Sequence, residues 1–188
     1  MVVPPPALMS SVAGHLRLAE ENDIPLLKAL ITRSGLGLSE PFYTRVQAEA
    51  LTHHVFGVDS QLITDRTYFL IEHQHAIVAC GGWSKRRTLF GGDQAKRGPD
   101  PLLDPATEPA RIRAFFVDPS MARRGLARQL LAECVLQARA AGFTALELAS
   151  TLPSEPLYLA CGFAIVERFA LSLPDNIRVS LTRMQRAI

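Results

Sequence analysis

The chain is short of the features that would commit it to a membrane, a metal or a polyanion. No apolar run approaches the roughly 20 residues that a bilayer span needs. Cysteine is scarce: Cys80, Cys134 and Cys161 form no CxxC pair, and each sits among apolar or small residues, as reduced, buried thiols do. His53-His54 and His73-x-His75 have no carboxylate or cysteine at a ligand interval, so no metal is expected. Neither sign of charge dominates, since 20 basic and 18 acidic residues leave a net charge of +2 and are scattered along the chain. That balance predicts no nucleic-acid partner and no membrane partner. Met1 to Ser10 lacks a basic n-region and carries Pro4-Pro5-Pro6, so residues 1–12 are expected to be a disordered lead-in and not a signal peptide. A cytoplasmic location is the simplest expectation.

What is present is a hydrophobic fraction of 48% over 188 residues, enough for one domain with a real core, expected over residues 13–188. His15 to Leu18 reads as a short strand, and Asp23-Ile24-Pro25 opens a helix with an acid at the N-cap. Ser34 to Glu40, with two glycines and no periodicity, reads as a loop before a weaker helix from about Pro41 to Val55. Tyr68 to Glu72 and Ala76 to Trp83 are β-rich runs around the polar His73-Gln74-His75, the pattern of a hairpin. Lys85 to Pro109 reads as a long irregular excursion, functional or mobile by its length. Arg111 to Val117 is a central strand ended by Asp118-Pro119. The clearest helix follows, with Leu126, Leu130, Leu131, Cys134, Val135 and Ala138 at helical intervals and Gly142 as its stop. A strand (Ala145 to Ala149), a short helix (Ser154 to Ala160) and two strands joined at Pro174-Asp175-Asn176 complete the chain. Strand, helix, strand in the middle implies a parallel pair inside an otherwise antiparallel sheet.

The informative element is Val117 to Arg128, between a strong strand and the strongest helix. A helix start leaves main-chain N–H groups unpaired and carries partial positive charge, so an anion placed there gains both. Gly125 and Ala127 are small enough to let a diphosphate approach the main chain. Arg123, Arg124 and Arg128 oppose the helix dipole, a mismatch that an anionic ligand would relieve.

With Val117 and Pro119 at the strand end and Gly125 and Ala127 at the small positions, the segment resembles the acetyl-CoA-binding motif of the GNAT superfamily (Gcn5-related N-acetyltransferases), Gln/Arg-x-x-Gly-x-Gly/Ala. It departs from that pattern at Ala122, where Arg123 and Arg124 are the neighbours that could cover the contact. Leu157-Tyr158-Leu159-Ala160-Cys161-Gly162-Phe163 resembles the family's Tyr-x-x-x-Gly-Phe segment. A tyrosine on an apolar helix is by itself more often a core or rim residue, but the first motif at the right distance reverses those odds. The resemblance implies a single-domain α/β GNAT-like fold: a mixed, mostly antiparallel sheet of six to seven strands with a central parallel pair, flanked by about four helices.

It also implies acetyl-CoA as acyl donor, held by Phe116, Val117, Arg123, Arg124, Gly125, Leu126, Ala127 and Arg128, with Thr151 as a pantetheine contact. The oxyanion donor would be the main chain near Phe116 and Val117, and Tyr158 would protonate the departing thiolate. The acceptor would be an amine of a small molecule or a peptide. A non-catalytic acyl-CoA sensor of the same fold is the alternative. For the general base, Glu147, Glu72 and Asp104 are candidates beside a water chain, and Glu147 reads more readily as a solvated strand residue. Trp83, after Gly81-Gly82, fits an acceptor pocket or a core position equally. Dimerisation through the terminal hairpin is left open.

Overall fold

The structure, a computed structural model, describes residues 14–188; the expected lead-in lies outside them. β1 (His15–Leu18), β2 (Tyr68–His73), β3 (Ala76–Ser84), β4 (Ala110–Val117), β5 (Ala145–Thr151), β6 (Ala164–Ser172) and β7 (Arg178–Ala187) form one seven-stranded sheet in the order β1-β2-β3-β4-β5-β7-β6. Every neighbouring pair is antiparallel except β4–β5. Among the described residues the α-helices are α1 (Ile24–Gly37), α2 (Arg45–His54), α3 (Ser60–Thr64), α4 (Leu126–Ala140) and α5 (Glu155–Ala160).

Each face of the sheet buries its own apolar cluster. Leu126, Leu130, Leu131, Cys134 and Ala138 of α4 pack with Leu146, Leu148 and Ile112 on one side, while Leu27, Leu30 and Ile31 of α1 pack with Tyr68, Leu70 and Cys80 on the other. Along β2 the residues alternate between the two clusters, Phe69 and Ile71 to the first and Tyr68 and Leu70 to the second, as period-two side chains do. Trp83 belongs to the first cluster, 5% exposed and edge-on to Phe143 at 6.0 Å, so it is a core residue and not a pocket wall.

Three sequence expectations change. Ser34 to Gly37 is the last turn of α1 and not a loop. Gly35 is there for packing: a Cβ on it would sit 2.8 Å from both the Phe56 ring and the Thr52 hydroxyl, so the glycine lets α1 and α2 touch. The following helix begins at Arg45 and not near Pro41, because Thr44 and Gln47 form a capping box there. Asp23 does not cap α1 through its side chain; its carboxylate accepts from Arg17 at 2.8 Å and from the Glu20 main-chain N–H at 2.8 Å.

The parallel pair that positions the site is short. Only Ala110↔Leu146 and Arg111↔Glu147 are in register, and beyond them β4 and β5 diverge. The β4 edge from Ile112 to Val117 thus faces a split instead of a neighbour. β4 also bulges against β3, with Cys80 opposite Phe116 but Gly82 opposite Arg113. The extra residue includes Ala114 at φ +53°, a left-handed backbone that an alanine adopts only under constraint. The Tyr68 hydroxyl, donating to the Ala114 carbonyl at 3.1 Å, holds that conformation. Gly81 makes room for the result, since a Cβ there would lie 2.6 Å from the Phe115 ring.

Candidate active site

A cleft of about 1000 Å³ runs along the split between β4 and β5. One end is the turn from Met121 to Arg128. Gly125 is the N-cap of α4 at φ +85°, with no side-chain cap. A Cβ on Gly125 would meet nothing within 4 Å, so the turn is open where a side chain would otherwise stand. The first acceptor inside the helix is the Gly125 carbonyl, bonded by Gln129 N–H at 3.1 Å. The N–H groups of Leu126, Ala127 and Arg128 precede that bond and have no helical partner. Arg123, Arg124 and Arg128 are exposed and line the cleft. The nearby acid Asp118 is engaged by Arg33 at 3.2 Å and by Ser120 at 2.7 Å, which leaves these arginines without an acid partner among the described residues. Open N–H groups, a missing side chain and unpaired guanidinium groups together fit a diphosphate.

All the residues assigned to cofactor binding from the sequence, Phe116, Val117, Arg123, Arg124, Gly125, Leu126, Ala127, Arg128 and Thr151, line this one cleft, as does Tyr158. The two strand residues differ in where their main chain points. The Asp118 N–H bonds the Val78 carbonyl of β3 at 2.8 Å, so by alternation the Val117 N–H turns away from β3 toward the split. There the Ser34 hydroxyl accepts it at 3.2 Å. By the same alternation the Phe116 N–H points to the β3 side, opposite Cys80. Burial pushes the Cys80 thiol up to about 12. Thr151 ends β5 with its hydroxyl bonded to that of Ser154 at 3.1 Å.

Tyr158 reaches the cleft from α5. Its ring packs edge-on against Phe163 at 5.5 Å and Phe115 at 6.4 Å. Desolvation by this apolar packing, with smaller contributions from the nearby Cys134 and Cys161, raises its phenol well above the ordinary tyrosine value. The phenol is therefore a proton donor throughout the neutral range, with no protein acceptor for its hydroxyl among the described residues. Cys161, whose burial the sequence suggested, is only half-buried.

None of the candidate general bases lines the cleft. Glu147 is neither free nor solvated: it is 1% exposed and accepts from Arg183 at 2.6 Å, from Gln185 at 2.7 Å and from Arg111. Glu72 pairs with Arg17 at 2.7 Å, and Asp104 caps its own turn through the Ala106 N–H at 3.0 Å. The carboxylate that does line the cleft among the described residues is Glu40, exposed after α1.

The excursion after β3 is a pinned strap, not a mobile loop. Arg113 of β4, 2% exposed, donates to Asp59 at 2.8 Å and to the strap carbonyls of Thr88 at 2.7 Å and Gly91 at 2.6 Å. Lys96 of the strap closes on the other Asp59 oxygen. The Gly92 and Asp93 N–H groups bond the Val55 and Val58 carbonyls, each at 2.9 Å. This places Leu89 to Gly92 along the cleft wall. Sequence reasoning marked Lys85 to Pro109 by its length alone and Ser34 only as part of a loop, and it did not find Arg113. An arginine inside an apolar strand was the available signal, because a cation in that position must find buried partners.

The profile of the acetyltransferase (GNAT) family matches residues 37–163, a stretch that includes both the turn and Tyr158. The chain belongs to the GNAT acetyltransferase family. Solved structures share the fold. A GCN5-related N-acetyltransferase (aminotransferase, class-II) from Rhodopseudomonas palustris superposes with TM-score 0.71 at 16% identity, over 97% of this chain and 100% of that one. The paia N-acetyltransferase of Thermoplasma acidophilum, solved with coenzyme A, gives 0.63 at 9% identity over 94% and 99%. Salmonella typhimurium yncA, solved with its cofactor acetyl-CoA, gives 0.59 at 14% identity over 93% and 94%. No curated protein matches the chain at a significant level. No described helix is long and apolar enough to cross a membrane.

Proposed function

We propose that this chain binds acetyl-CoA with its diphosphate on the Arg123 to Arg128 turn and transfers the acetyl group directly to an amine. The observation that carries the reading is Gly125: a left-handed N-cap opening into a cleft, followed by unpaired N–H groups and flanked by arginines without acid partners. Family membership and the coenzyme complexes of the structural neighbours support it.

When bound, acetyl-CoA supplies a thioester carbonyl that a neutral amine can attack without a covalent enzyme intermediate. The chain's own residues have three tasks. The turn and Thr151 hold the donor along the split. The Val117 N–H, lightly held by Ser34, is the main-chain donor available for negative charge developing on the carbonyl oxygen. Tyr158 holds a proton at its hydroxyl that it can deliver as charge develops on the departing sulfur, and desolvation keeps the phenol neutral until then. Deprotonation of the acceptor falls to Glu40 or to water.

Tyr158→Phe should lower turnover about 10- to 1000-fold while calorimetry shows unchanged acetyl-CoA affinity. Full turnover in this variant would remove the phenol from the mechanism. Acetyl-CoA uptake with no amine-dependent thiol release across amines, amino acids, polyamines and peptides would favour the sensor reading. The catalytic reading is favoured because Tyr158 presents a phenol to the same cleft, which a binding module does not require.

A further inference from the structure

The cleft continues past Tyr158 to the α2 side of the sheet, and this end is apolar. Phe42, Val55, Phe56, Leu89, Phe90 and Leu181 line it. The wall is built from aromatic contacts, with Phe56 edge-on to Phe116 at 5.4 Å and Phe90 over Phe169 of β6 at 6.1 Å. Charge in the described lining is almost wholly positive. Arg123, Arg124 and Arg128 belong to the turn, Arg113 is spent on Asp59 and the strap, and Glu40 is the lone carboxylate.

Resting on the acetyl-transfer reading, we propose that the acceptor is a monoamine carried on an apolar group, and not a polyamine or a lysine-rich peptide. An apolar tail gains by leaving water against this wall. A second ammonium group would enter the same space with no carboxylate to meet it and would lose its hydration uncompensated. Glu40 can serve one ammonium, the one that reacts, and leaves none for another.

The decisive comparison is hexylamine against 1,6-diaminohexane, equal in length and different only at the far end. With acetyl-CoA saturating, kcat/KM should rise about two- to four-fold per methylene from ethylamine to hexylamine, and the diamine should fall about tenfold or more below hexylamine. Calorimetry with the product N-hexylacetamide should show binding that N-ethylacetamide lacks, a readout independent of turnover. Phe42→Glu adds a carboxylate at a residue 49% exposed, so folding is not at stake, and it should narrow the gap between hexylamine and the diamine. A flat ladder, a diamine, spermidine or lysine peptide used as well as hexylamine, or acetyl-CoA binding with no turnover of any amine overturns the proposal and leaves the coenzyme site standing. Absence of acetyl-CoA binding overturns both.

Discussion

The strap can be tested through the charge that pins it. Arg113 and Asp59 face each other at 2.8 Å with side chains 1% exposed, and Lys96, 20% exposed, shares the carboxylate. Asp59→Asn keeps the side-chain volume and the oxygen that accepts the Gln61 N–H at 3.1 Å at the start of α3, and it removes the charge together with the oxygen that accepts from Arg113. It leaves two cations facing each other in a buried site. Removing one partner of a buried pair costs about 3–5 kcal/mol. Arg113→Met is milder, because Asp59 keeps Lys96 and the loss is the donor to the Thr88 and Gly91 carbonyls, about 2–3 kcal/mol by the price of unsatisfied buried acceptors. For a chain of this size each kcal/mol moves Tm by about 2–4 °C, so Asp59→Asn should melt about 10 °C low. The double variant, lacking both charges, should be no worse than Asp59→Asn alone, a non-additivity of at least about 2–3 kcal/mol. Hydrogen exchange should accelerate at strap amides such as Gly92 and Asp93 in both single variants. Additive losses, or Arg113→Met costing more than Asp59→Asn, would show that the pair does not clamp the strap.

Two further outcomes follow from the site. Gly125→Ala should cost only about 1 kcal/mol of stability, the strain of a left-handed alanine, because its methyl meets no protein atom within 4 Å. It should still weaken acetyl-CoA binding about tenfold by standing where the diphosphate approaches; unchanged affinity in calorimetry would place the diphosphate elsewhere. The second outcome concerns pH. Burial raises the Tyr158 phenol above the ordinary value of about 10, so its proton is present below that value and is lost only above it. The rate should therefore climb with pH as the acceptor amine loses its own proton and should show no falling limb up to about pH 10. A falling limb near neutrality that vanishes in Tyr158→Phe would mean that the phenol is not desolvated as the structure has it.

The order of elements was legible because most of the strands and α4 are locally consistent. The run Leu126 to Ala138 has helical spacing, and the β2–β3 hairpin has a polar turn whose Gln74 and His75 take positive φ. Errors arose where a long-range contact overrode a local signal. Gly35 and Gly37 look like loop residues in sequence, but Gly35 lies inside a helix because Phe56 and Thr52, on and beside α2, press against it. Glu147 looks like a solvated strand residue, yet Arg111, Arg183 and Gln185, from two other strands, converge on it.

The site divides along the same line. The end proposed to bind the anion is a contiguous stretch, since a helix start, a left-handed glycine and the arginines around it all fall between Val117 and Arg128, and contiguity makes chemistry readable. The end proposed for the acceptor is assembled from α1, α2, the strap, β4 and β7, residues separated by tens of positions. What brings them together is the divergence of β4 and β5 after two paired positions and the bulge at Ala114, held by the Tyr68 hydroxyl. Neither feature has a local signature, because each depends on which strand lies beside which. On the proposed reading, specificity for the acceptor is written in the pairing of the sheet and in the Arg113 clamp, whereas the donor site is written in one turn. Substitutions that alter the clamp should change which amine is accepted while leaving coenzyme affinity alone, and the reverse should hold for the turn.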